Sequence, residues 1–459
     1  MGDYLPHTDE EVEAMLAFVG LGSLEELFDA VPHVLRISGG LSLPPGRPEP
    51  DVLDHLTTLA DANRARADRM VCFAGAGAYD HEIPPVVRAL AGRSEFVTSY
   101  TPYQAEVAQG VLQAIFEFQT MVARLAGLPV ANASLYDGAS ALVEAVNLGV
   151  AASGRPTVWV SAGIHPHWRA VLRTFAAGTG HRLAEIGLNE GRTSWPDDAD
   201  AEVPGVVVVG YPNYLGCLED LDRARRICDT HGALLVVAAD PVAAGILQSP
   251  GQRGADVVVG EGQALGTDLG FGGPYLGLFA CSTAQVRRLP GRLVGETVDA
   301  EGRRAYVTTL RAREQDIRRE RATSNVCTNQ TLMAVTAAVQ LGWLGTAGLT
   351  EVALRCARGT RYLRLALHDV DGIATLTGGS PVLRELALRT RVPARLVVER
   401  MADEGFLAGV ALDDLVGPAG DGSVSADDAA HGLLVAVTER RTRAEIDRYV
   451  ECLDKAVRP

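Results

Sequence analysis

The sequence predicts an α/β fold built on a mainly parallel β-sheet, and two observations carry this prediction. Short, almost continuously apolar runs recur between residues 157 and 280, which is typical of strands covered on both faces. Helical repeats of apolar residues lie between several of these runs, which indicates βαβ units. The predicted strands are 157–161, 206–209, 234–239, 256–259 and 276–280.

The composition is that of a folded globular protein and narrows the choice of partners. Apolar residues make up 47% of the 459 residues and charged residues 22%. The net charge of −15 disfavours nucleic acid or an anionic membrane as a partner. The acidic N-terminus lacks the pattern of a signal peptide, so we expect a cytoplasmic protein. Seven dispersed cysteines without a C-x-x-C pair argue against a zinc ribbon or a disulfide framework.

The basic residues restrict the possible chemistry. Of the 42 lysines and arginines, only Lys455 is a lysine. A P-loop needs a lysine at the phosphates, and an imine-forming enzyme needs a lysine amine. The sequence therefore excludes a site of either kind built on an interior lysine.

Three regions follow one another along the chain. Residues 1–68 form a helical arm, with helices predicted at 10–19, 23–31 and 51–69. Residues 69–322 form the large α/β domain, and residues 323–459 form a smaller α/β domain. The smaller domain opens with helices at 330–344 and 349–368 and ends with a helix at 443–455.

The longest predicted helix of the large domain covers residues 102–126. Apolar residues recur every three or four positions, as in a helix with one buried face. Thr101 and Gln104 match a capping box, Pro102 suits the first helical position, and Gly127 suits the end.

Several residues could belong to a site. Asp137 and Gly138 open a predicted helix, where free amides can bind phosphate, although plain capping by Asp137 is the preferred explanation of the pattern. Asp240 follows an apolar strand and can cap the next segment or hold a protonated pyridine nitrogen. The glycine-rich stretch 260–266 is a poor match to a dinucleotide loop and reads as tight turns. His165 and His167 have no further ligand at metal-binding spacing, so no metal site is predicted.

Taken together, seven segments resemble the glycine decarboxylase P-protein, and specifically the alpha (N-terminal) subunit of its two-chain form. They occur in the family's order over nearly the whole chain, and they are FAGAGAYDH (73–81), YTPYQAE (100–106), ANASLYDG (131–138), GEGQALGTDLGFGGP (260–274), LPGRL (289–293), TSNVCTNQ (323–330) and VAVTER (435–440).

The resemblance implies a fold, a cofactor and partners. The fold would be the aspartate-aminotransferase-like, fold type I architecture of enzymes that use pyridoxal phosphate, with a seven-stranded mixed sheet and a smaller C-terminal domain. A separate beta subunit would hold pyridoxal phosphate, and the two chains would form a heterodimer or heterotetramer. Together they would decarboxylate glycine and pass the aminomethyl group to the lipoyl arm of the H-protein.

The resemblance also places a vestigial cofactor site in this chain. In the beta-type motif eleven positions separate the lysine from a proline, and the same count back from Pro274 reaches Gln263. An amide cannot form an imine, so the covalent anchor is lost. Asp240 would lie where the pyridine-nitrogen aspartate sits, although capping or packing is an equally simple role. Asp137 and Gly138 would lie at the former phosphate position.

A different segment is expected to contribute to activity. Tyr100, Thr101, Tyr103 and Gln104 would reach the partner's active site, since dimers of this fold build each site at the interface. A capping box with core aromatics explains the same residues structurally. Two further alternatives remain open: a non-catalytic scaffold or regulatory subunit, and a stand-alone transferase that holds the cofactor non-covalently.

Overall fold

A computed structural model describes residues 6–37, 39–63, 70–196 and 202–459 of the chain. The chain divides into two compact units, residues 1–64 and residues 65–459. The predicted boundary between residues 68 and 69 lies outside the described residues.

The N-terminal unit contains two helices, α1 (Asp9–Val19) and α2 (Glu49–Ala62). Helix α1 begins with a capping box between Thr8 and Glu11 and ends at Gly20, whose φ of 77° is left-handed. The predicted helix at 23–31 was wrong, because only a single 3₁₀ turn forms, at Glu25–Phe28. The predicted helix at 51–69 corresponds to α2, and residues 64–69 lie outside the described part of the chain.

The first part of the second unit contains the strands of a seven-stranded sheet, several short strands outside that sheet, and the helices between them. In chain order these are β1 (Val71–Cys72), α3 (Pro85–Ala91), α4 (Ser94–Val97), α5 (Gln109–Ala126), β2 (Val130–Ala131), α6 (Gly138–Ser153), β3 (Thr157–Ser161), α7 (Pro166–Thr179), β4 (Arg182–Ile186), β5 (Leu188–Asn189), β6 (Arg192–Thr193), β7 (Val206–Tyr211), α8 (Leu221–His231), β8 (Leu234–Ala239), β9 (Val257–Glu261), β10 (Gly277–Cys281), β11 (Val294–Val298), β12 (Arg304–Thr308) and α9 (Gln315–Arg318).

The remaining elements form the C-terminal part of this unit. They are α10 (Thr331–Ala366), β13 (Ile373–Thr375), β14 (Glu385–Thr390), α11 (Ala394–Asp403), β15 (Phe406–Leu407), β16 (Val410–Ala411), α12 (Leu412–Val416), α13 (Ala426–His431), β17 (Gly432–Ala436) and α14 (Arg443–Ala456).

Seven strands form one mixed sheet in the order β2-β10-β9-β8-β7-β3-β4. Strand β10 runs antiparallel to both of its neighbours, and the pairs β9-β8, β8-β7, β7-β3 and β3-β4 are parallel. Each of the five strands predicted from the sequence is present, with bounds that differ by at most two residues. The predicted α/β class with a seven-stranded mixed sheet is confirmed.

Both faces of this sheet are buried, which explains the unbroken apolar runs. Val207 and Val209 pack with Phe118 in one core, whereas Val206 and Val208 pack in another core on the opposite face. Successive residues of a strand point to opposite faces, so a strand covered on both sides needs apolar residues at every position.

Helix α5 begins seven residues later than predicted. Residues 102–108 form an irregular segment with a 3₁₀ turn at Ala105–Val107, and the α-helix starts at Gln109. Thr101 and Gln104 make no capping box, so that prediction was wrong. Val107, which belongs to the apolar repeat of the predicted helix, is 78% exposed. The helix does end at Gly127, with a left-handed φ of 68°.

The C-terminal elements form a four-stranded antiparallel sheet in the order β13-β14-β17-β16. The two helices predicted at 330–344 and 349–368 are one run, α10, interrupted at Gly345 by a non-helical φ of 58°. By length and composition α10 passes the test for a membrane span, but it packs against α3, α5 and α14 as a helix of the folded unit. The boundary proposed at 322/323 falls between the strands of the two sheets.

Candidate functional site

A cleft opens at the carboxyl ends of the parallel strands, where α/β proteins bind their ligands. Residues that follow β3, β7, β8 and β9 line it on one side, and the start of β14 lines it on the other. The lining includes Tyr79, His165, Trp168, Asn213, Asp240, Glu261, Arg384 and Glu385. The cleft therefore lies between the two sheets of the second unit.

The first turn of α6 closes one end of this cleft. Asp137 is its N-cap, with the side chain accepting a hydrogen bond from the Ser140 amide at 2.7 Å. The Gly138 amide donates to the carboxylate of Glu261 at 2.9 Å. The same carboxylate accepts from the amides of Gln263 at 3.0 Å and Leu276 at 2.9 Å. Glu261 thus occupies the helix N-terminus where an external anion would bind.

Burial determines the charge state of Glu261. Removal from water raises its pKa to about 7, while the three amide donors oppose this shift. The side chain therefore binds a proton near neutral pH, whereas a glutamate in water does so only at a much lower pH.

An indole ring covers the same helix end. A Cβ atom added to Gly138 would lie 2.2 Å from Cζ2 of Trp168, so the ring packs directly on the glycine backbone. Any larger residue at position 138 would collide with the ring. Trp168 and Glu261 together fill the space in front of the first turn of α6.

Gln263, the predicted lysine vacancy, is 2% exposed and fully hydrogen-bonded. Its side-chain oxygen accepts from the Tyr79 amide at 2.9 Å. Its side-chain nitrogen donates to the backbone oxygens of Tyr79 at 3.1 Å and Thr267 at 2.8 Å. The amide therefore ties two backbone segments together and presents no group for covalent chemistry.

Asp240 makes two contacts from the end of β8. Its carboxylate accepts from the Val242 amide at 2.9 Å, which is the expected local capping role. It also lies 2.6 Å from the guanidinium of Arg384, which enters from the residue before β14. Asp240 thus bonds locally and also across the cleft to the second sheet.

Arg384 is at the centre of a buried chain of polar groups. It donates to Nε2 of His81 at 2.6 Å, and Nδ1 of that ring lies 2.6 Å from Glu439. Its guanidinium also stacks 3.4 Å from the centre of the Tyr79 ring. Burial disfavours the charge, but Asp240 and the other acidic neighbours together outweigh it and keep the pKa of Arg384 above its usual value.

A second carboxylate, Glu385, completes the network. It accepts from the Tyr79 hydroxyl at 2.8 Å and from the Ala76 amide at 2.7 Å. Burial raises the pKa of Glu385 to about 7, partly offset by Arg384. The same burial holds the pKa of the Tyr79 phenol well above its usual value, so the phenol keeps its proton.

The histidines serve structural roles. His165 contacts the backbone oxygen of Ala76 at 2.9 Å and accepts from the His167 amide at 3.2 Å, and burial lowers its pKa to about 4.

His81, Cys356 and Glu439 have ligand atoms within 4.8 Å of one another. Because Arg384 donates to the outer nitrogen of His81, a positive charge already stands beside this group and disfavours a cation.

The segment with Tyr100, Thr101, Tyr103 and Gln104 lies at the surface. Tyr100 is 81% exposed and Tyr103 is 47% exposed. The phenol oxygen of Tyr103 accepts from Arg292 at 3.1 Å, and its ring has Arg292 and Arg311 at 5.2 and 5.3 Å from its centre. The sequence pattern alone did not indicate either arginine contact.

Arg292 links this segment to two other segments of the resemblance, 323–330 and 131–138. It is 6% exposed and donates to the Asn329 side chain at 3.0 Å and the Cys327 carbonyl at 2.9 Å. Among the residues the structure describes, all of its hydrogen-bond acceptors are neutral. The Cys327 amide in turn donates to the hydroxyl of Tyr136, the residue before Asp137, at 3.2 Å. Tyr103 therefore connects to the start of α6 through Arg292, Cys327 and Tyr136.

Solved structures first identify the class of protein. The chain matches a NifS-like protein (TM-score 0.62, 13% identity, 84% of this chain and 98% of that one) and a sphingosine-1-phosphate lyase from Burkholderia pseudomallei (TM-score 0.63, 16% identity, 92% and 93%). With the mixed sheet and the cleft at its strand ends, these matches define a pyridoxal-phosphate-dependent transferase fold of type I.

Nearer relatives give the family. Residues 2–378 match the model of the glycine cleavage system P-protein. A probable glycine dehydrogenase (decarboxylating) subunit 1 from Prosthecochloris aestuarii is 45% identical, covering 98% of this chain and 99% of the relative. The same subunit from Desulforamulus reducens is 44% identical, covering 97% of each. A crystal structure of glycine decarboxylase (P-protein) in inhibitor-bound form matches with a TM-score of 0.89 and 45% identity over 99% of this chain and 100% of that one. The chain belongs to the glycine cleavage system P-protein family and resembles its subunit 1 members.

The residues of the cleft do not fit the cofactor of this fold. Pyridoxal phosphate needs a lysine amine, an anion site for its phosphate and a carboxylate for its ring nitrogen. Here the position expected for the lysine holds Gln263, Glu261 takes the Gly138 amide at the start of α6, and Arg384 is paired with Asp240. Sequence reasoning found Asp137, Gly138, Asp240 and Gln263. It missed Glu261, which lies inside the quoted segment 260–274, and it missed Trp168, Arg384 and Glu385, which lie outside all seven segments.

Proposed function

We propose that this subunit 1 chain forms glycine decarboxylase together with a second, beta subunit that binds pyridoxal phosphate. The chain itself holds no covalent cofactor and contributes residues to an active site shared with that partner. The complex decarboxylates glycine and delivers the aminomethyl group to the lipoyl group of the H-protein. Its seven dispersed cysteines suit a reducing compartment, which favours the cytoplasm as its place of action.

The position of the amine is the observation that carries the proposal. The only lysine, Lys455, lies exposed on α14 and is not among the residues that line the cleft. The position that the resemblance assigns to the lysine holds Gln263, a buried residue whose amide is used up by backbone bonds. Because imine chemistry requires a primary amine, the reaction needs a second chain that supplies it.

The exposed Tyr100–Gln104 region is the part of the chain best suited to enter a partner's site. Tyr100 projects into solvent, and Tyr103 is held by Arg292 with half of its surface open. Two phenols and a guanidinium next to them can orient a small amino acid by its carboxylate, since charged hydrogen bonds to carboxylates are strong and directional.

Arg292 gives this surface its charge. Burying a guanidinium without an acidic partner is unfavourable, and such arrangements are typical of sites that receive an anion. The described residues around Arg292 supply only neutral acceptors. The cofactor, when bound by the partner, supplies the electron sink for loss of the carboxylate. Residues of this chain bind and orient the substrate for that step.

Reconstitution tests the proposal. The chain alone, the beta subunit alone and their mixture are each supplied with pyridoxal phosphate and assayed for glycine–bicarbonate exchange. We expect activity in the mixture only. Activity in this chain alone would support a stand-alone transferase instead, and a mixture no more active than the beta subunit would support a scaffold or regulatory subunit.

The tyrosines are tested within the assembled complex. Replacing both Tyr100 and Tyr103 by Phe should lower glycine turnover while size-exclusion chromatography shows unchanged assembly. Tyr362→Phe on α10 is the matched control and should retain wild-type turnover. Unchanged turnover in the double variant would exclude these phenols from the site.

A further inference from the structure

We infer that this chain carries a protein-made replacement for the cofactor, in which Glu261 stands in for the phosphate and Arg384 for the protonated ring. Gln263 stands in for the anchoring lysine. The cleft consequently takes neither phosphate nor pyridoxal phosphate. This inference goes beyond the proposed function, since a chain that assists a partner could still keep a phosphate site of its own.

At the phosphate position, the first amides of α6 already have acceptors from the protein. A helix N-terminus attracts anions through its free N–H groups and its dipole. Here the Gly138 amide is taken by Glu261 and the Ser140 amide by Asp137. Trp168 packs directly on the glycine backbone beside these amides. A phosphate would have to displace a carboxylate that is also bonded to the Leu276 amide.

At the position of the cofactor ring, Arg384 supplies the positive charge. A carboxylate such as Asp240 stabilises a positively charged ring nitrogen, and the guanidinium of Arg384 lies 2.6 Å from it. Arg384 is itself 4% exposed, held by His81 and stacked on Tyr79. The positive charge that Asp240 needs is therefore built into the polypeptide.

The replacement has a structural consequence. Asp240, Glu261 and Gln263 belong to the ends of the seven-stranded sheet, whereas Arg384 and Glu385 belong to the start of β14 in the four-stranded sheet. The bonds Asp240–Arg384 and Tyr79–Glu385 join the two parts without any ligand. The polypeptide itself thereby fixes the two sheets on either side of the cleft.

Ligand binding by the full-length chain tests the inference without any measurement of glycine turnover. By calorimetry, Glu261→Ala should bind inorganic phosphate at least about tenfold more tightly than the wild-type chain, because it frees the helix amides. Glu451→Ala removes an equal charge from an exposed position on α14 and should behave as wild type. Comparable phosphate affinity in wild type and Glu261→Ala would overturn the inference.

Two further measurements decide the matter if Glu261→Ala does not fold. Glu261→Gln keeps the shape of the side chain but turns its NH₂ group toward a backbone N–H. Because two donors then face each other, this variant too should gain phosphate affinity. Equilibrium dialysis of the wild-type chain with pyridoxal phosphate should leave far less than one cofactor per chain. Retention of one cofactor per chain, or no gain in Glu261→Gln, would contradict the inference.

Discussion

The carboxylate of Asp240 and the guanidinium of Arg384 lie 2.6 Å apart, with 13% and 5% of their side chains exposed. Asp240 follows β8 of the seven-stranded sheet and Arg384 precedes β14 of the four-stranded sheet. The pair thus bridges the cleft at the place where we expect this fold to bind the ring of its cofactor. Opposite charges buried this deeply depend on each other, because either one alone would remain uncompensated.

Removing Arg384 should therefore destabilise the chain strongly. Arg384→Met leaves Asp240 without its cation and His81 without its donor, and we expect a loss of about 3–5 kcal/mol in the free energy of unfolding by urea. Arg391→Met is the control, because its pair with Asp371 is exposed and should contribute less than about 1 kcal/mol. Equal losses in the two variants would show that the cleft pair has no special role.

Two buried glutamates should give the stability a distinctive pH dependence. The pKa values of Glu261 and Glu385 are raised to about 7 from 4.5, so between these limits the folded state binds protons that the unfolded state has released. Their contribution to stability is complete below pH 4.5 and is lost as the pH rises through about 7.

The measurement is the melting temperature from pH 5 to pH 8. Glu261→Gln should show a smaller fall over this range than the wild-type chain, since one of the two titrating groups is gone. Glu451→Gln, at an exposed position, should keep the wild-type slope. Parallel slopes in all three proteins would be evidence against a raised pKa at Glu261.

Restoring a lysine should not restore a cofactor site. In Gln263→Lys the Tyr79 amide loses its acceptor, which we expect to lower stability by about 1–3 kcal/mol. Glu261 and Arg384 still occupy the phosphate and ring positions, so borohydride treatment in the presence of pyridoxal phosphate should attach no cofactor at residue 263. Gln113→Lys on the exposed side of α5 controls for the added charge. Labelling of residue 263 would mean that the cleft still admits the cofactor.

The packing of Trp168 makes Gly138 intolerant of substitution. Gly138→Ala places a Cβ atom 2.2 Å from the indole ring and should cost about 1–3 kcal/mol, because the ring has to move. Gly342→Ala on α10 has no atom within 4 Å of the new Cβ and should stabilise the helix by about 0.5–1 kcal/mol. A stabilising effect at both positions would show that the indole does not rest on Gly138.

The sheet followed from the sequence because strands covered on both faces are apolar at every position, as in 206–209. The start of α5 did not, because Tyr103 bonds to Arg292 instead of continuing a helix from Pro102. Capping patterns describe local preference, and a long-range contact overrides them here.

The same reasoning separates the parts of the site. Gln263 was found from its distance to Pro274 and Asp240 from its place after an apolar strand, whereas Glu261, Trp168 and Arg384 were not found. Arg384 reaches Asp240 only after the two sheets pack, and nothing in its neighbouring sequence marks that encounter. The residues at the expected cofactor contacts could be predicted, but the residues that occupy the place of the cofactor could not.

The most direct test of the account is the location of the cofactor in the assembled complex. The complex with the beta subunit is reduced with borohydride in the presence of pyridoxal phosphate, and the mass of each chain is measured. We expect the added mass on the beta subunit alone, with this chain unmodified. A stoichiometric label on this chain, where Lys455 is the sole lysine, would contradict the division of roles proposed for the two subunits.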